Sequence, residues 1–373
     1  MKSKLEKNLF IEEQIFNSGL LPNPNKILNK YGRNYQVLRD ILNDAHVWSA
    51  VQSRKGGLLS MDFQIIHSEN LSNNKLIDRF ISSNDNSKLF NDILDAIYFG
   101  FSIIEIIWEE ADNSILPKQL LTKPQEWFSF DANSNLYFVR GNRKTKINNN
   151  KVLLSKSEAS FSNPYGTPLL SKIYWPLKFK NAGLKYWVRY MEKFGLPSIL
   201  GQYRRGAKAD EIEKLLDTLT NMNEDSVIVA PEDIEIKINE SKSNSSAELY
   251  KELISFCNNE ISKAILSQNL TTEVNKGSYA ASKTHYQIRR ELIEADKRLV
   301  ENSMNNLFKK IIDLNSNNND YPKFEFMQID ADSESRLQRD RILSQHTNIN
   351  FNKKYWSKHY GLDEDEFEIS QDK

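Results

Sequence analysis

Hydrophobic and polar positions along this chain change period several times, and each change predicts a different element. Over residues 35–54 the apolar side chains Val37, Leu38, Ile41, Leu42, Ala45 and Trp48 recur at helical spacing, and the pattern stops at Gly56-Gly57. That predicts one amphipathic helix ended by the two glycines. Over residues 58–67, Met61, Phe63 and Ile65 fall on one face, the period-two signature of a half-buried strand. A helix is predicted over 88–99, closed by Gly100. The run from Phe101 to Trp108 then reads as strand, being rich in β-branched and aromatic residues. Pro117, Pro124 and the Asn148-Asn149-Asn150 cluster place loops between further short strands such as 136–139. The first third is therefore mixed α/β.

The texture changes at Asn163-Pro164-Tyr165-Gly166-Thr167-Pro168. Thr167 suits an N-cap and Pro168 the first helical position, where a missing N–H costs nothing. The helix that follows is predicted to reach Phe194, with Gly195 just past its end and Pro197 beyond. At 1.5 Å per residue it spans about 40 Å, and Pro176 is expected to kink it. Ile173, Leu177, Leu184, Trp187, Val188 and Met191 supply its apolar positions. Its polar side is basic, with Lys172, Lys178, Lys180, Lys185, Arg189 and Lys193 set against the single acid Glu192.

A small unit follows: strand at 198–200, helix at 210–222, strand at 227–229. A third strand is expected where Ile234, Ile236 and Ile238 alternate with Glu235, Lys237 and Asn239. A polar linker at 241–246 leads to a helix over 247–266, then a polar loop over 269–282. A long helix is predicted over 283–314, a strand over 323–329, and a helical tail from Arg336 that closes on Asp363-Glu364-Asp365-Glu366. There is no internal repeat.

Composition narrows the classes. A chain of 373 residues fits two or three structural units. Fifty basic and fifty acidic side chains cancel, whereas a tight DNA binder carries a basic excess to neutralise phosphates; any nucleic acid is expected to be held loosely or by a local patch. The single cysteine, Cys257, excludes an internal disulfide framework and suits a reducing compartment. No apolar leader follows Met1, and the longest apolar run, 96–108, contains Glu105 and is too short to span a bilayer. Secreted, membrane-spanning and disulfide-scaffold proteins are not expected.

Chemistry is sparse. His46, His67, His285, His346 and His359 are scattered with no metal-binding spacing, so no metal and no cofactor is expected. Cys257 sits in the apolar register of a helix and reads as core. Gly195, Gly201 and Gly206 lack the Lys-Ser/Thr of a phosphate loop. Glu232, Asp233, Glu235 and Lys237 mimic a magnesium-dependent nuclease, but Glu235 and Lys237 equally suit the wet face of an amphipathic strand. The basic side of the first long helix suggests weak, sequence-blind contacts to a duplex, against the plainer reading of a solvated face.

Particular residues resemble the portal proteins of Mu-like tailed phages and prophages. These are Asp95-Ala96-Ile97-Tyr98-Phe99-Gly100 and the strand after it; Asn163-Pro164-Tyr165-Gly166-Thr167-Pro168-Leu169-Leu170; Tyr174-Trp175-Pro176; and Glu192-Lys193-Phe194-Gly195-Leu196-Pro197. Gln268-Asn269-Leu270-Thr271-Thr272, Gly277-Ser278-Tyr279-Ala280 and Glu294-Ala295-Asp296 extend the match. The resemblance implies an α+β portal fold. Residues 1–162 would form an α/β wing, completed by a long helix and strand at 283–331. Residues 163–194 and 247–268 would be paired stem helices, 195–246 a small βαβ clip, 269–282 a tunnel loop, and 332–373 a reduced helical crown.

By the same resemblance the protein is a non-enzymatic head–tail connector. It would form a dodecameric ring at one capsid vertex of the virion, assembled in the cytoplasm of a bacterial host, through which double-stranded DNA is packaged and ejected. Its partners would be further copies of itself, the terminase large subunit, the major capsid or scaffold protein and head–tail connector proteins, with no membrane involved. Lys178, Lys185, Asn275, Lys276, Gly277 and Ser278 become channel candidates on the stem and tunnel loop. Arg204, Arg205, Lys208 and Glu211 become docking candidates on the clip. The alternatives are the nuclease built on Glu235 and Lys237, and a non-enzymatic helical adaptor.

Overall fold

The computed structural model describes residues 20–360 except 33, 195–198, 223–226, 235–242, 269–278, 317, 328–332 and 347–350. It divides into two compact units, one of Met1–Ser60 with His67–Lys323, the other of Met61–Ile66 with Phe324–Lys373.

The first unit opens with short helices α1 (Lys26–Lys30) and α2 (Gln36–Arg39) and then α3 (Ala45–Leu59). One helix was expected over 35–54. Instead Asp44 adopts extended backbone and its carboxylate accepts the His46 and Val47 amides, an N-cap that restarts the helix. Gly56-Gly57 do not end it. They lie inside α3, and a Cβ on Gly57 would sit 2.7 Å from Ile293 Cδ1, so this glycine serves close helix packing rather than termination. The strand after it, β1 (Phe63–Ile66), starts correspondingly later than the pattern suggested.

Helix α4 (Leu71–Ser83) had no counterpart in the sequence reading, because its first turn is Ser and Asn, poor helix formers. Asn70 caps it, and Ile77 and Phe80 anchor it in the core. Helix α5 (Asn86–Phe99) is capped by Asp85 and buries Leu89, Phe90, Ile93 and Leu94. It runs onto an antiparallel sheet in the order β3–β2–β7, of β2 (Phe101–Ala111), β3 (Ser114–Lys123) and β7 (Val152–Lys156). Phe101, Ile103, Ile104 and Ile106 of β2 are all buried, so that half of the strand is covered on both faces and reads as an unbroken apolar run. A second sheet joins β4 (Phe128–Phe130), β5 (Leu136–Arg140) and β6 (Arg143–Lys146) in that order.

The turn Asn163–Pro168 seats the next helix through two glycines. Gly100 has φ +90° and Gly166 φ +71°, and a Cβ on Gly166 would lie 2.3 Å from both the Gly100 and the Ser157 carbonyl oxygens. Only glycine fits there. Beside them the Tyr165 hydroxyl donates to the Leu21 carbonyl and accepts from the Phe130 amide, while its ring meets Phe130 edge-on at 4.9 Å.

Helix α6 is Leu169–Phe194, one residue later than expected, with the Pro168 carbonyl accepting from Ser171; it continues through Pro176. Next, β8 (Ile199–Tyr203), α7 (Ala209–Met222) and β9 (Val227–Pro231) form the expected βαβ unit with a parallel strand pair. Ile234, assigned to a third strand, sits in a turn bonded back to Pro231, and the rest of that strand lies outside the described residues. Helix α8 (Ser243–Leu266) takes in most of the supposed linker, and α9 (Tyr279–Asn315) begins inside the supposed 269–282 loop. Val300, Met304, Leu307, Phe308 and Ile311 of α9 complete the core.

In the second unit β1 pairs with β10 (Lys323–Phe326), shorter than the predicted strand; Phe63 and Phe324 meet at 5.1 Å. The helical tail is α10 (Ser333–His346) and α11 (Lys353–Tyr360). The buried carboxylate of Asp340 accepts the hydroxyls of Tyr355 and Tyr360, each at 2.8 Å.

Candidate functional site

The paired helices α6 and α8 position the candidate channel residues. Gly183 faces Leu253, close enough that a Cβ would touch it at 3.1 Å, and the Tyr190 and Tyr250 rings lie 6.0 Å apart. As α6 numbers rise the matching α8 numbers fall, so the helices are antiparallel. Cys257 is buried in α8, as its apolar register suggested.

One expected member of the basic face turns inward. Lys180 is buried and its ammonium contacts both Asp44 carboxylate oxygens, at 2.7 and 2.9 Å. The cause is angular: at 100° per residue Lys180 lies about 200° from Lys178, on the far side of the helix. The Asp44 carboxylate therefore caps α3 and holds α6 together. In the first turn of α3 the His46 imidazole reaches the Asn258 carbonyl at 3.0 Å and the Ser262 hydroxyl at 2.8 Å, both on α8.

Lys178, Lys185 and Arg189 do share a face. All three are exposed, and their spacing keeps them within a sector of about 40°. Lys178 lies 5.5 Å over the Tyr174 ring. The Tyr174 hydroxyl bonds that of Tyr31, which pushes Tyr174 up to about 12 and pulls Tyr31 down. Lys185 and Arg189 form no ion pair among the described residues.

Two exposed apolar stripes flank this basic one. On one side are Trp175, Phe179 and Tyr186, with the Trp175 and Phe179 rings stacked at 6.0 Å. On the other are Leu184, Val188 and Met191. The second set was legible as apolar positions. The first was not read, although its spacing of four and seven is the signal that marks a helix face. On α8, Leu249, Leu253 and Phe256 are exposed at the same kind of spacing. The Lys193 side chain lies outside the described residues.

The docking candidates come together in the turn from β8 to α7. Arg204, Arg205, Lys208 and Glu211 are all exposed. Arg205 pairs with Asp233 at 2.9 Å, and Glu211 accepts the Lys208 amide at 3.2 Å, the reciprocal half of a capping box. Glu211 therefore has a local structural task as well.

Asn275, Lys276, Gly277 and Ser278 lie outside the described residues, as do Glu235 and Lys237. Among the described residues no cluster of three or more His, Cys, Asp or Glu side chains could hold a metal ion. No described helix is long and apolar enough to cross a membrane.

The family model described as the portal protein of Mu bacteriophage matches residues 35–362. The chain belongs to that family. Among the relatives of this portal-family chain, the Mu-like prophage FluMu protein gp29 of Haemophilus influenzae is 26% identical over 301 residues, covering 76% of this chain and 58% of the relative. The portal protein of Escherichia phage Mu is 25% identical over 288 residues, covering 73% of this chain and 55% of the relative. The chain thus spans little more than half the length of these curated relatives. A solved structure described as the neck of an empty GTA particle computed with C6 symmetry shares the fold, with a TM-score of 0.60, 12% identity, and coverage of 92% of this chain and 94% of that one.

Proposed function

We propose that this chain is a portal protein of a tailed phage or prophage. It assembles as a dodecameric ring at one capsid vertex, and duplex DNA passes through the ring in packaging and ejection. The observation that carries this reading, beside family membership, is the surface of α6: a basic stripe flanked on both sides by exposed apolar stripes. A helix in a closed ring has a neighbour on each side, through heterologous head-to-tail contacts, and presents the sector between them to the central space. Spread cations in that sector give weak, sequence-blind phosphate contacts that let a duplex slide.

In this reading α6 and α8 are the stem, residues 195–246 the clip, 269–282 the tunnel loop and 332–373 a reduced crown. The wing is 1–162 with 283–331. Lys178 and Lys185 face the channel with the tunnel-loop residues Asn275, Lys276, Gly277 and Ser278. Arg204, Arg205, Lys208 and Glu211 meet the terminase large subunit during packaging and connector proteins afterwards, while the wing meets the capsid or scaffold protein. Assembly takes place in the bacterial cytoplasm, and the protein performs no catalysis of its own.

Negative-stain electron microscopy of the purified protein, with mass determination in solution, tests the proposal. Rings with a central hole that admits a duplex are expected. A uniform monomer at every concentration, also in the presence of capsid and scaffold protein, would favour the adaptor reading instead.

A further inference from the structure

From Ala132 to Ser157 the chain carries no Asp or Glu, yet it holds Arg140, Arg143, Lys144, Lys146, Lys151 and Lys156. In a protein whose charges cancel, that is a strongly biased segment. The fold concentrates it on one hairpin. Strands β5 and β6 pair antiparallel from Tyr137 opposite Lys146 to Arg140 opposite Arg143, closed by Gly141-Asn142 with Gly141 at φ +58°. Glycine with positive φ at the first turn position is what a two-residue hairpin loop needs, so the tip is tight and its register fixed.

This register sets Arg140 and Arg143 directly opposite each other. Side chains on such a pair share a face with Cβ atoms about 5 Å apart, and like charges placed so are unfavourable. Among the described residues no carboxylate relieves them. Arg140, Arg143, Lys146 and Lys151 are exposed and form no ion pair among the described residues. On the neighbouring strand and turn, Glu105 is engaged by Lys123 at 2.8 Å, and Asp131 accepts from the amides of Asn133 and Asn135. On the face that carries Arg140 and Arg143, Phe138 is held edge-on between Trp127 and Phe128, at 6.1 and 5.8 Å, so the hairpin is anchored beside the pair rather than free to relax. A fixed pair of guanidinium groups with no counter-ion among the described residues is complementary to an external anion, and the planar guanidinium matches phosphate oxygens two at a time.

We propose that the β5–β6 hairpin is a phosphate-backbone site for duplex DNA, separate from the channel candidates on α6. Two features favour a duplex over other polyanions. Lysine is depleted from protein–protein interfaces, whereas nucleic-acid interfaces are polar and strongly positive; every residue of β6, Arg-Lys-Thr-Lys, is exposed. And residues 140–146 contain no aromatic side chain; the exposed ring beside them, Trp127 edge-on to Phe138, is short of the succession of rings on which the bases of a single strand stack. Contacts of this kind hold the backbone without reading sequence.

The inference goes beyond the portal reading and does not require a ring. Fluorescence anisotropy of the full-length chain with a labelled random-sequence duplex, titrated across salt, tests it. For R140Q/R143Q the slope of log affinity against log salt is expected to become shallower by about 2, since each phosphate contact contributes about 0.9. Affinity at low salt is expected to fall at least tenfold, equally for unrelated sequences. R143Q alone is expected to move the slope by about 1, and R143K to restore it.

Mass and circular dichroism run alongside are expected to match the wild type. A wild type that binds duplex through the hairpin yet stays monomeric, also with capsid and scaffold protein present, would keep this inference while removing the ring. An unchanged salt slope in R143Q and in a folded R140Q/R143Q variant overturns the site. So does stronger competition by polyglutamate than by duplex of equal charge, which would assign the hairpin to an acidic protein.

Discussion

The guanidinium of Arg54 grips the carboxylate of Asp296 with two parallel hydrogen bonds of 2.7 Å, and both side chains are nearly inaccessible to water. The same guanidinium donates to the Ile265 carbonyl at 2.9 Å. One side chain of α3 therefore fastens the end of α8 and the middle of α9, two helices that follow one another in sequence. Burial opposes the charge on Arg54, but the bonds and charge of Asp296 outweigh it and raise the guanidinium above its ordinary value.

Removing one member of that pair leaves the other charged and buried. D296N is expected to destabilise the chain by about 3–5 kcal/mol, and R54M/D296L by clearly less, because no unpaired charge is left inside. Urea denaturation followed by intrinsic fluorescence measures both. Equal losses for the single and double variants would show that packing, not the charge pair, matters here.

Gly166 offers the sharpest test of the Asn-Pro-Tyr-Gly-Thr-Pro turn. A methyl group there meets two backbone carbonyl oxygens at 2.3 Å while φ is +71°. Left-handed backbone at a non-glycine residue costs about 1–2 kcal/mol even without a clash. G166A is expected to lose more than that. The control G32A has positive φ but nothing within 4 Å of the added methyl, so it should lose only the conformational cost. Thermal melts that rank the two alike would contradict the close contact.

The apolar flanks of α6 make a prediction about assembly rather than folding. Phe179 and Val188 are 56% and 48% exposed in the single chain, so charging them costs the isolated fold little. F179D and V188D are expected to shift rings to monomers in light scattering, while K185Q assembles as the wild type does. Rings formed by both aspartate variants would move the subunit contact away from α6.

Asp340 yields a pH dependence whose sign follows from its partners. Burial alone would raise its carboxyl, but the Tyr355 and Tyr360 hydroxyls and Arg339 outweigh burial and hold it below the ordinary carboxylate range. A depressed acid stabilises the folded state above its unfolded value, and that contribution is lost as pH falls through the folded value. The stability gap between wild type and D340N is therefore expected to be constant above about pH 4, the unfolded carboxylate range, and to close below it. Tryptophan fluorescence melts across that range read the gap; one that widens on acidification would reverse the assignment.

Long elements after Phe101 were legible because sustained apolar periods carry their own signal: the β2 run, the 26-residue α6 and the βαβ unit stand where the pattern put them, whereas Pro117, read as a loop, lies inside β3 opposite Trp108. The family, too, was legible from its residues, and at Gly166 of the turn motif the folded backbone admits only glycine. What misled was local punctuation read without its surroundings. Gly57 looked like a stop and is a packing gap for Ile293; the Ser and Asn residues of 243–246 looked like linker and are the start of α8, while those of α4 gave no helix signal.

The candidate site divides in the same way. Lys178 and Lys185 share a face by spacing alone, whereas Lys180, equally basic in sequence, is claimed by Asp44 from 136 residues away. The unrelieved Arg140–Arg143 pair exists only once strand register is set. Periodicity is a property of one segment and can be counted along it. Which cation finds a carboxylate, and which glycine another backbone, depends on segments distant in sequence, and only the folded chain brings those together.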